Sequence, residues 1–414
     1  MWTSLLDGML GRLIRNGELI VTYPNGKVRR YGRGAPHAAV HLKDETLVRR
    51  LVLHPDLALG EGYMDGNVEV EGDDLEGLLA LAMQNMEDQP ANWRDRLLQF
   101  RSWFRWVDQF NPMGRAQRNV AHHYDLSGEL YDLFLDKDRQ YSCAYFSDPA
   151  MTLEEAQEAK KQHIAKKLLI EPGMRVLDIG CGWGGLGLTL ARDFGAQVVG
   201  VTLSTEQHKI ACQRAKDAGL EGQVDFRLTD YRNVTERFDR VVSVGMFEHV
   251  GVPHYREYFR NVHDRLTEDG VALIHFIGRM SPPGSTSPWI LKYIFPGGYV
   301  PALSETMAAV EKEHLWATDV EVWRLHYAET LKNWRARFMA NRDKAKALYD
   351  ERFCRMWRYY LSASEMSFRH FGQNVFQIQL ARRQEAVPLT RNYLYPAEAK
   401  AARRSRANVT EAAE

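Results

Sequence analysis

What the sequence most lacks is net charge: across 414 residues, 54 Lys and Arg balance 54 Asp and Glu. No gross basic field marks a nucleic-acid partner, and no nucleic acid is expected. Cysteine is scarce as well. Cys143, Cys181, Cys212 and Cys354 show none of the paired spacing that holds a metal, so no metal site is expected and a reducing cytoplasm is the expected setting. No apolar run is long and uncharged enough to span a bilayer, and no leader-like segment opens the chain. Any membrane contact is therefore expected to be peripheral, at the inner face of the cytoplasmic membrane.

With 45% hydrophobic residues the chain can nonetheless bury a large core, and its length points to two domains. It is organised around Val176-Leu-Asp-Ile-Gly-Cys-Gly-Trp-Gly-Gly185. Val176, Leu177 and Ile179 read as a buried parallel strand. Gly180 and Gly182 let the backbone turn sharply and approach a ligand with no Cβ in the way, and a helical pattern follows. The Gly180-x-Gly182-x-x-Gly185 spacing also meets the dinucleotide fingerprint, so the loop alone does not choose the ligand.

A second absence helps to choose it. A nicotinamide site wants Asp or Glu at the end of the next strand, where this chain reads Val201-Thr-Leu-Ser-Thr-Glu-Gln207. Glu206 comes too late to fill that place, whereas Ser204 and Gln207 can bond a ribose. Asp178 offers a carboxylate to the ammonium of S-adenosylmethionine. After a third strand at 224–228, Asp230-Tyr231 offers another to the adenine amino group. The loop reads as an S-adenosylmethionine site.

Residues 1–87 read as a small α+β domain, with a helix at 1–16, a hairpin turning at Asn25-Gly26, strands near 40–42 and 67–70, and helices at 47–53 and 75–86. It carries no catalytic constellation, and packing or dimerisation is its expected role ahead of lipid binding. Residues 88–118 read as a helical linker in which Arg94, Arg96, Arg101 and Arg105 alternate with aromatics, either as a solvated face or as an interfacial helix. Residues 119–395 form the second domain. Its helix at 152–169 opens with the capping box Thr152-x-x-Glu155. Strands follow at 197–202, 224–228, 238–245, 271–278 and 374–380, with helices at 254–266, 323–339 and 345–360. This alternation implies an α/β fold, a Rossmann-like doubly wound parallel sheet with ligands at the carboxyl ends of its strands. Residues 396–414 read as a disordered tail.

Glu248 and His275 stand at two such strand ends. Each alone is more often a cap or a core residue, but their placement on neighbouring strands favours a functional reading. Residues 279–303 are too apolar for a plain solvent loop and suggest a lid. In it Trp289, Ile290, Tyr293, Ile294 and Phe295 either line an acyl tunnel or membrane-facing rim, or fill core.

Taken together, His123-Tyr-Asp125, Tyr141-Ser-Cys143, the glycine loop, Thr202-Leu-Ser204 with Gln207, Phe247-Glu-His-Val-Gly251, Phe295-Pro-Gly-Gly298 and His326-Tyr-Ala-Glu-Thr-Leu331 carry a resemblance over nearly the whole chain. It resembles the bacterial cyclopropane-fatty-acyl-phospholipid synthases and, over its catalytic half, the mycolic acid cyclopropane synthases. The resemblance implies methyl transfer from S-adenosylmethionine to the cis double bond of an unsaturated phospholipid acyl chain, a carbocation, and deprotonation by a bound bicarbonate ion. Carried onto matching motifs, Cys143, Glu248, His275, Ile277 and Tyr327 hold that bicarbonate, Cys143 and Ile277 through backbone groups. Tyr141, Ser142, Thr202 and Leu203 join Asp178, Gly180, Gly182, Ser204, Gln207, Asp230 and Tyr231 around the donor. A homodimer is implied as well. The chain departs from many relatives at Leu361-Ser-Ala-Ser364, where they carry cysteine in place of Ser364. Similar enzymes leave a methyl branch instead of a ring, and the shared motifs do not separate the two outcomes. A nucleic-acid or small-molecule methyltransferase would share the glycine loop but lack the bicarbonate set and the apolar lid, and a lipid carrier would need neither Glu248 nor Tyr327.

Overall fold

The computed structural model describes residues 1–87 and 127–395; the expected linker at 88–118, the His123-Tyr-Asp125 motif and the tail at 396–414 lie outside the described residues. The first unit is built on a four-stranded sheet of β1 (Gly17–Thr22), β2 (Val28–Arg33), β3 (His37–Leu42) and β4 (Val68–Val70), in the order β2-β1-β3-β4. β1 and β2 form an antiparallel hairpin around Asn25-Gly26, where Gly26 takes a φ of +76° that suits a residue without Cβ. Leu19 and Val21 on β1 face the core, toward helices that include Glu45–Leu53 and Leu75–Glu87. A further helix, Pro55–Met64, has no counterpart in the sequence reading. Its buried residues run consecutively from Gly60 to Met64, so no helical period shows, and Pro55 occupies the first turn, where a missing N–H costs nothing.

The second unit is a seven-stranded sheet in the order β10-β11-β9-β8-β5-β6-β7. Its strands are β5 (Arg175–Ile179), β6 (Gln197–Thr202), β7 (Val224–Leu228), β8 (Phe238–Val244), β9 (Leu266–Arg279), β10 (Trp316–Trp323) and β11 (Gln373–Ala381). β5 through β9 pair in parallel. The chain runs outward from β5 to β6 and β7, then returns to the other side of β5 for β8 and β9, which opens a crevice at the carboxyl end of β5. Helices Leu153–Lys167, Gly185–Phe194 and Tyr255–Arg265 are among those that connect the strands. The capping box at Thr152 and Glu155 is present.

The centre of the sheet is parallel as expected, and β11 adds an antiparallel edge by pairing with β9 and with β10. Two expectations need correction. Trp323 ends strand β10, which was not foreseen, and the helix expected to start there begins at His326. The helix expected at 345–360 is two helices, Arg342–Leu348 and Glu351–His370, broken where Asp350 caps the second one through Phe353 N.

The two units are packed together through the 279–303 segment and helix Glu351–His370. Trp289 and Ile294 are fully buried, so at these positions the segment fills core. The Trp289 indole lies over Gly60, where a Cβ would collide with its ring; its Nε1 donates to Met64 Sδ (3.3 Å) and its ring centroid is 4.7 Å from that of Tyr359. Glu61 accepts from Lys292 Nζ (2.6 Å) and the Tyr293 hydroxyl (2.7 Å). Truncating Trp289 to alanine is expected to destabilise the protein by about 3–5 kcal/mol, read as a lowered denaturation midpoint, and Gly60→Leu should act in the same direction. An unchanged midpoint in both variants would show that this contact does not hold the units together.

Candidate active site

A cavity occupies the crevice above β5 and is lined from several strand ends. Asp178, Gly180, Gly182 and Trp183 come from the β5 turn, Thr202, Leu203 and Gln207 from β6, Asp230, Tyr231 and Arg232 from β7, and Met246, His249 and Val250 from β8. Gln140, Tyr141 and Ser142 border it from an earlier segment, and Lys160 reaches it from helix Leu153–Lys167. All the expected donor residues line this cavity except Ser204. The Ser204 hydroxyl instead accepts from Gln207 N and caps the helix Thr205–Asp217, which fixes Gln207 at the wall. Gly180 and Gly182 have φ of +81° and +55°, and nothing lies within 4 Å of where a Gly182 Cβ would be. A side chain there would take up the space the turn leaves for a ligand.

Asp178 is 2% exposed, and its Oδ2 is buried without a hydrogen-bond partner. Burial lifts its carboxyl to about 7, against a smaller downward pull from the Lys160 ammonium. An orphaned, desolvated carboxylate in an open cavity fits a cationic group such as the ammonium of S-adenosylmethionine. Asp230 is differently placed: Arg232 holds both its oxygens, at 2.9 and 2.7 Å, so the carboxylate is fixed and retains lone pairs for an amino group. Burial drives His249 down to about 4, so its ring is neutral at the cavity wall.

A second cluster lies beside the cavity. Glu248, 8% exposed, accepts from the Ile277 N–H at 2.6 Å through Oε1, while Oε2 is buried with no partner. Burial raises its carboxyl to about 7. The Ile277 N–H is thus spent on positioning Glu248. His275 lies on β9 two residues before Ile277, and Gln377 Nε2 stands 3.1 Å from its Nδ1; donation by that amide leaves the ring proton on Nε2. Burial, reinforced by the Lys160 and Lys167 ammoniums, pushes the His275 imidazole well below its ordinary value, so it is neutral.

Cys143 and Tyr327 come from other elements: Cys143 precedes helix Leu153–Lys167, and Tyr327 lies in the first turn of helix His326–Ala340. Burial pushes the Cys143 thiol up, so it stays protonated and unreactive. The next N–H, of Ala144, donates to Thr330 Oγ1 (3.0 Å) on the helix that carries Tyr327. An aromatic wall joins these parts: the Tyr141 and Tyr360 hydroxyls are 2.9 Å apart, Tyr141 stacks on Trp334 at 5.2 Å, Tyr327 meets Trp334 edge-on at 5.8 Å, and Phe295 bridges Tyr360 and His249 at 5.9 Å from each.

The sequence reading missed the layer behind the cavity. Gln157 Nε2 donates to the carbonyls of Gln140 (3.2 Å) and Ser142 (3.0 Å), and Lys160 Nζ donates to Gln140 Oε1 (2.7 Å) and Ser142 Oγ (2.8 Å). A signal existed. Ala156, Lys160, Ile164 and Lys167 fall on one helix face, and a face shared with Ala156 and Ile164 is not a solvated one.

Fold and cavity define the class: this is an S-adenosylmethionine-dependent methyltransferase with a Rossmann-like catalytic domain. Comparison with known proteins narrows it. The family described as mycolic acid cyclopropane synthetase matches residues 112–378, and a domain of unknown function matches residues 6–92. The chain is 38% identical to the cyclopropane-fatty-acyl-phospholipid synthase of Escherichia coli over 84% of its own length and 89% of the relative's. It is also 38% identical to the tuberculostearic acid methyltransferase of Mycobacterium tuberculosis, covering 84% of each chain. Among solved structures, a cyclopropane synthase from Mycobacterium tuberculosis aligns with a TM-score of 0.63 at 32% identity, over 66% of this chain and 99% of that one. A mycolic acid cyclopropane synthase complexed with SAH and CTAB aligns at 0.61 and 34% identity with the same coverage. The chain belongs to the mycolic acid cyclopropane synthetase family.

Only the ionised form of Asp178 attracts an ammonium, so the contribution of Asp178 to donor binding should grow as pH rises through 7 and fall as pH drops below it. Calorimetry with S-adenosylhomocysteine is expected to show affinity on the order of tenfold weaker at pH 6 than at pH 7.5, and Asp178→Asn should bind weakly with no such dependence. A flat wild-type profile would remove Asp178 from the donor's ammonium.

Proposed function

We propose that the protein is a cyclopropane-fatty-acyl-phospholipid synthase, building a cyclopropane across the cis double bond of an unsaturated acyl chain in a membrane phospholipid. The observation that carries this reading is a donor cavity with a second buried, unsatisfied carboxyl, Glu248, next to it. S-adenosylmethionine supplies an electrophilic methyl group. An alkene is a weak nucleophile, so the chain's task is to hold donor and double bond in line and to keep water away. Asp178, the glycine turn and Gln207 would fix the donor, while buried Trp183 and Tyr131, 5.0 Å apart, shield the site.

Positive charge left on the acyl chain after methyl transfer is stabilised by π faces, which Tyr141, Tyr360 and Phe295 offer. Ring closure then needs a proton removed from the transferred methyl group, and a bicarbonate ion would serve as the acceptor. Glu248 Oε2, the Nε2–H of His275 and the Tyr327 hydroxyl are the groups that would hold it, with Ile277 fixing Glu248 and the backbone at Cys143 bounding the far side. A carboxyl titrating near 7 can accept from the ion's hydroxyl or donate to its oxygens, which removes the conflict of placing an anion beside a glutamate.

The same reading has the protein docked peripherally on the bilayer that carries its substrate; no helix among the described residues is long and apolar enough to cross a membrane. A second reading, a fatty-acyl C-methyltransferase giving a methyl-branched lipid, is kept because the similar proteins include a tuberculostearic acid methyltransferase. With methyl-labelled donor and vesicles of cis-unsaturated phospholipid, label is expected in the acyl chains; none there would overturn both readings. Glu248→Gln keeps the shape of the side chain and removes its charge. Its turnover should fall about a hundredfold or more while S-adenosylhomocysteine affinity stays unchanged. Full turnover with weakened donor binding would instead assign Glu248 to the donor cavity.

A further inference from the structure

Lys160 is 1% exposed, yet no carboxylate is hydrogen-bonded to it. Its ammonium donates to two neutral oxygens, Gln140 Oε1 and Ser142 Oγ. Of the nearby acids, Asp138 binds Lys161 Nζ at 2.8 Å and pairs with Arg214, Asp136 accepts from the N–H groups of Asp138 (3.0 Å) and Gln140 (2.9 Å), and Asp178, which feels the Lys160 charge, is not hydrogen-bonded to it. A lysine ammonium has three donors, so one proton is left over, on a residue that lines the donor cavity. A buried charge with only neutral partners is costly unless an anion arrives. In line with that, burial lowers Lys160 to about 8, with Asp136 pulling the other way.

Asp178 lines the same cavity and has the opposite lack, a buried anionic oxygen with no donor. The two unsatisfied groups match the two ends of a zwitterion. We propose that Lys160 is a donor-binding residue that takes the carboxylate of the methionine moiety, as Asp178 takes its ammonium. The inference rests on the cavity being the S-adenosylmethionine site. It gives that site a charge code for an intact amino acid, and so a means of discriminating against nucleosides that lack one end of it.

A competing account makes Lys160 a strut that only holds Gln140 and Ser142 in place. Removing the carboxylate from the ligand separates the two accounts without touching the protein. Calorimetry on the full chain would compare S-adenosylhomocysteine with its decarboxylated analogue, 5′-(3-aminopropylthio)-5′-deoxyadenosine. The wild type should bind the analogue about ten- to a hundredfold more weakly, the range of a hydrogen bond to a charged group. Lys160→Met should bind S-adenosylhomocysteine more weakly by a similar factor and should no longer distinguish the two ligands, while Lys160→Arg should retain part of the preference. Equal wild-type affinity for both ligands overturns the proposal, as does a Lys160→Met variant that keeps the wild-type preference. Failure of the wild type to bind either ligand would instead sink the donor-site reading itself.

Discussion

Charge held away from water at the carboxyl edge of the sheet is the constraint on which the site depends. Asp178 and Glu248 both end up beside apolar strands with an oxygen that finds no donor, and both carboxyls are raised to about 7. For Asp178 the shift corresponds to on the order of 4 kcal/mol of folding free energy. The sign is unfavourable to the folded state: stability is lost as pH rises from the unfolded carboxyl value through 7, because the unfolded chain ionises first. A fold that tolerates this has groups pre-placed for a ligand, since binding restores what burial removed. Lys160 carries the same logic with the charge reversed.

What makes that arrangement tolerable is the packing around it. β5, β6 and β8 are buried along most of their length, because both faces of a parallel sheet are covered. That rigidity holds the strand ends, and so the side chains of Asp178 and Glu248, in fixed relation. Helix Leu153–Lys167 adds a second layer whose Gln157 and Lys160 hold the 140–142 segment over the cavity. The first unit contributes at a distance: Trp289, lodged against Gly60 and Met64, anchors the segment that ends at Phe295, and Phe295 touches both His249 and Tyr360. Residues far from the cavity thereby help to set its aromatic wall.

Local chemistry was legible in the sequence and long-range pairing was not. The glycine turn, the capping box at Thr152 and the hairpin at Asn25-Gly26 are encoded within a few residues each, and each lies where its spacing implies. Gln377 reads as an ordinary strand residue, and only the antiparallel pairing of β11 with β9 brings it to His275. Trp289 reads equally well as tunnel or core, and only its packing against Gly60, distant in sequence, makes it core. Ser204 was assigned to a ribose on the strength of its hydroxyl, which serves a helix cap instead; a serine followed three residues later by glutamine carries that cap signal as well. Lys160 reads as solvent-facing by residue type alone, because lysines in an amphipathic helix usually face water.

The central claim is that an acyl double bond accepts a methyl group and that a base held at Glu248 then removes a proton from that same methyl. The direct measurement is the mass of the lipid product formed from trideuteromethyl donor and cis-unsaturated phospholipid. The account predicts a cyclopropane whose bridging carbon has lost a single deuteron. Product that retains every deuteron of the transferred methyl group, as a branch on the chain, would contradict it.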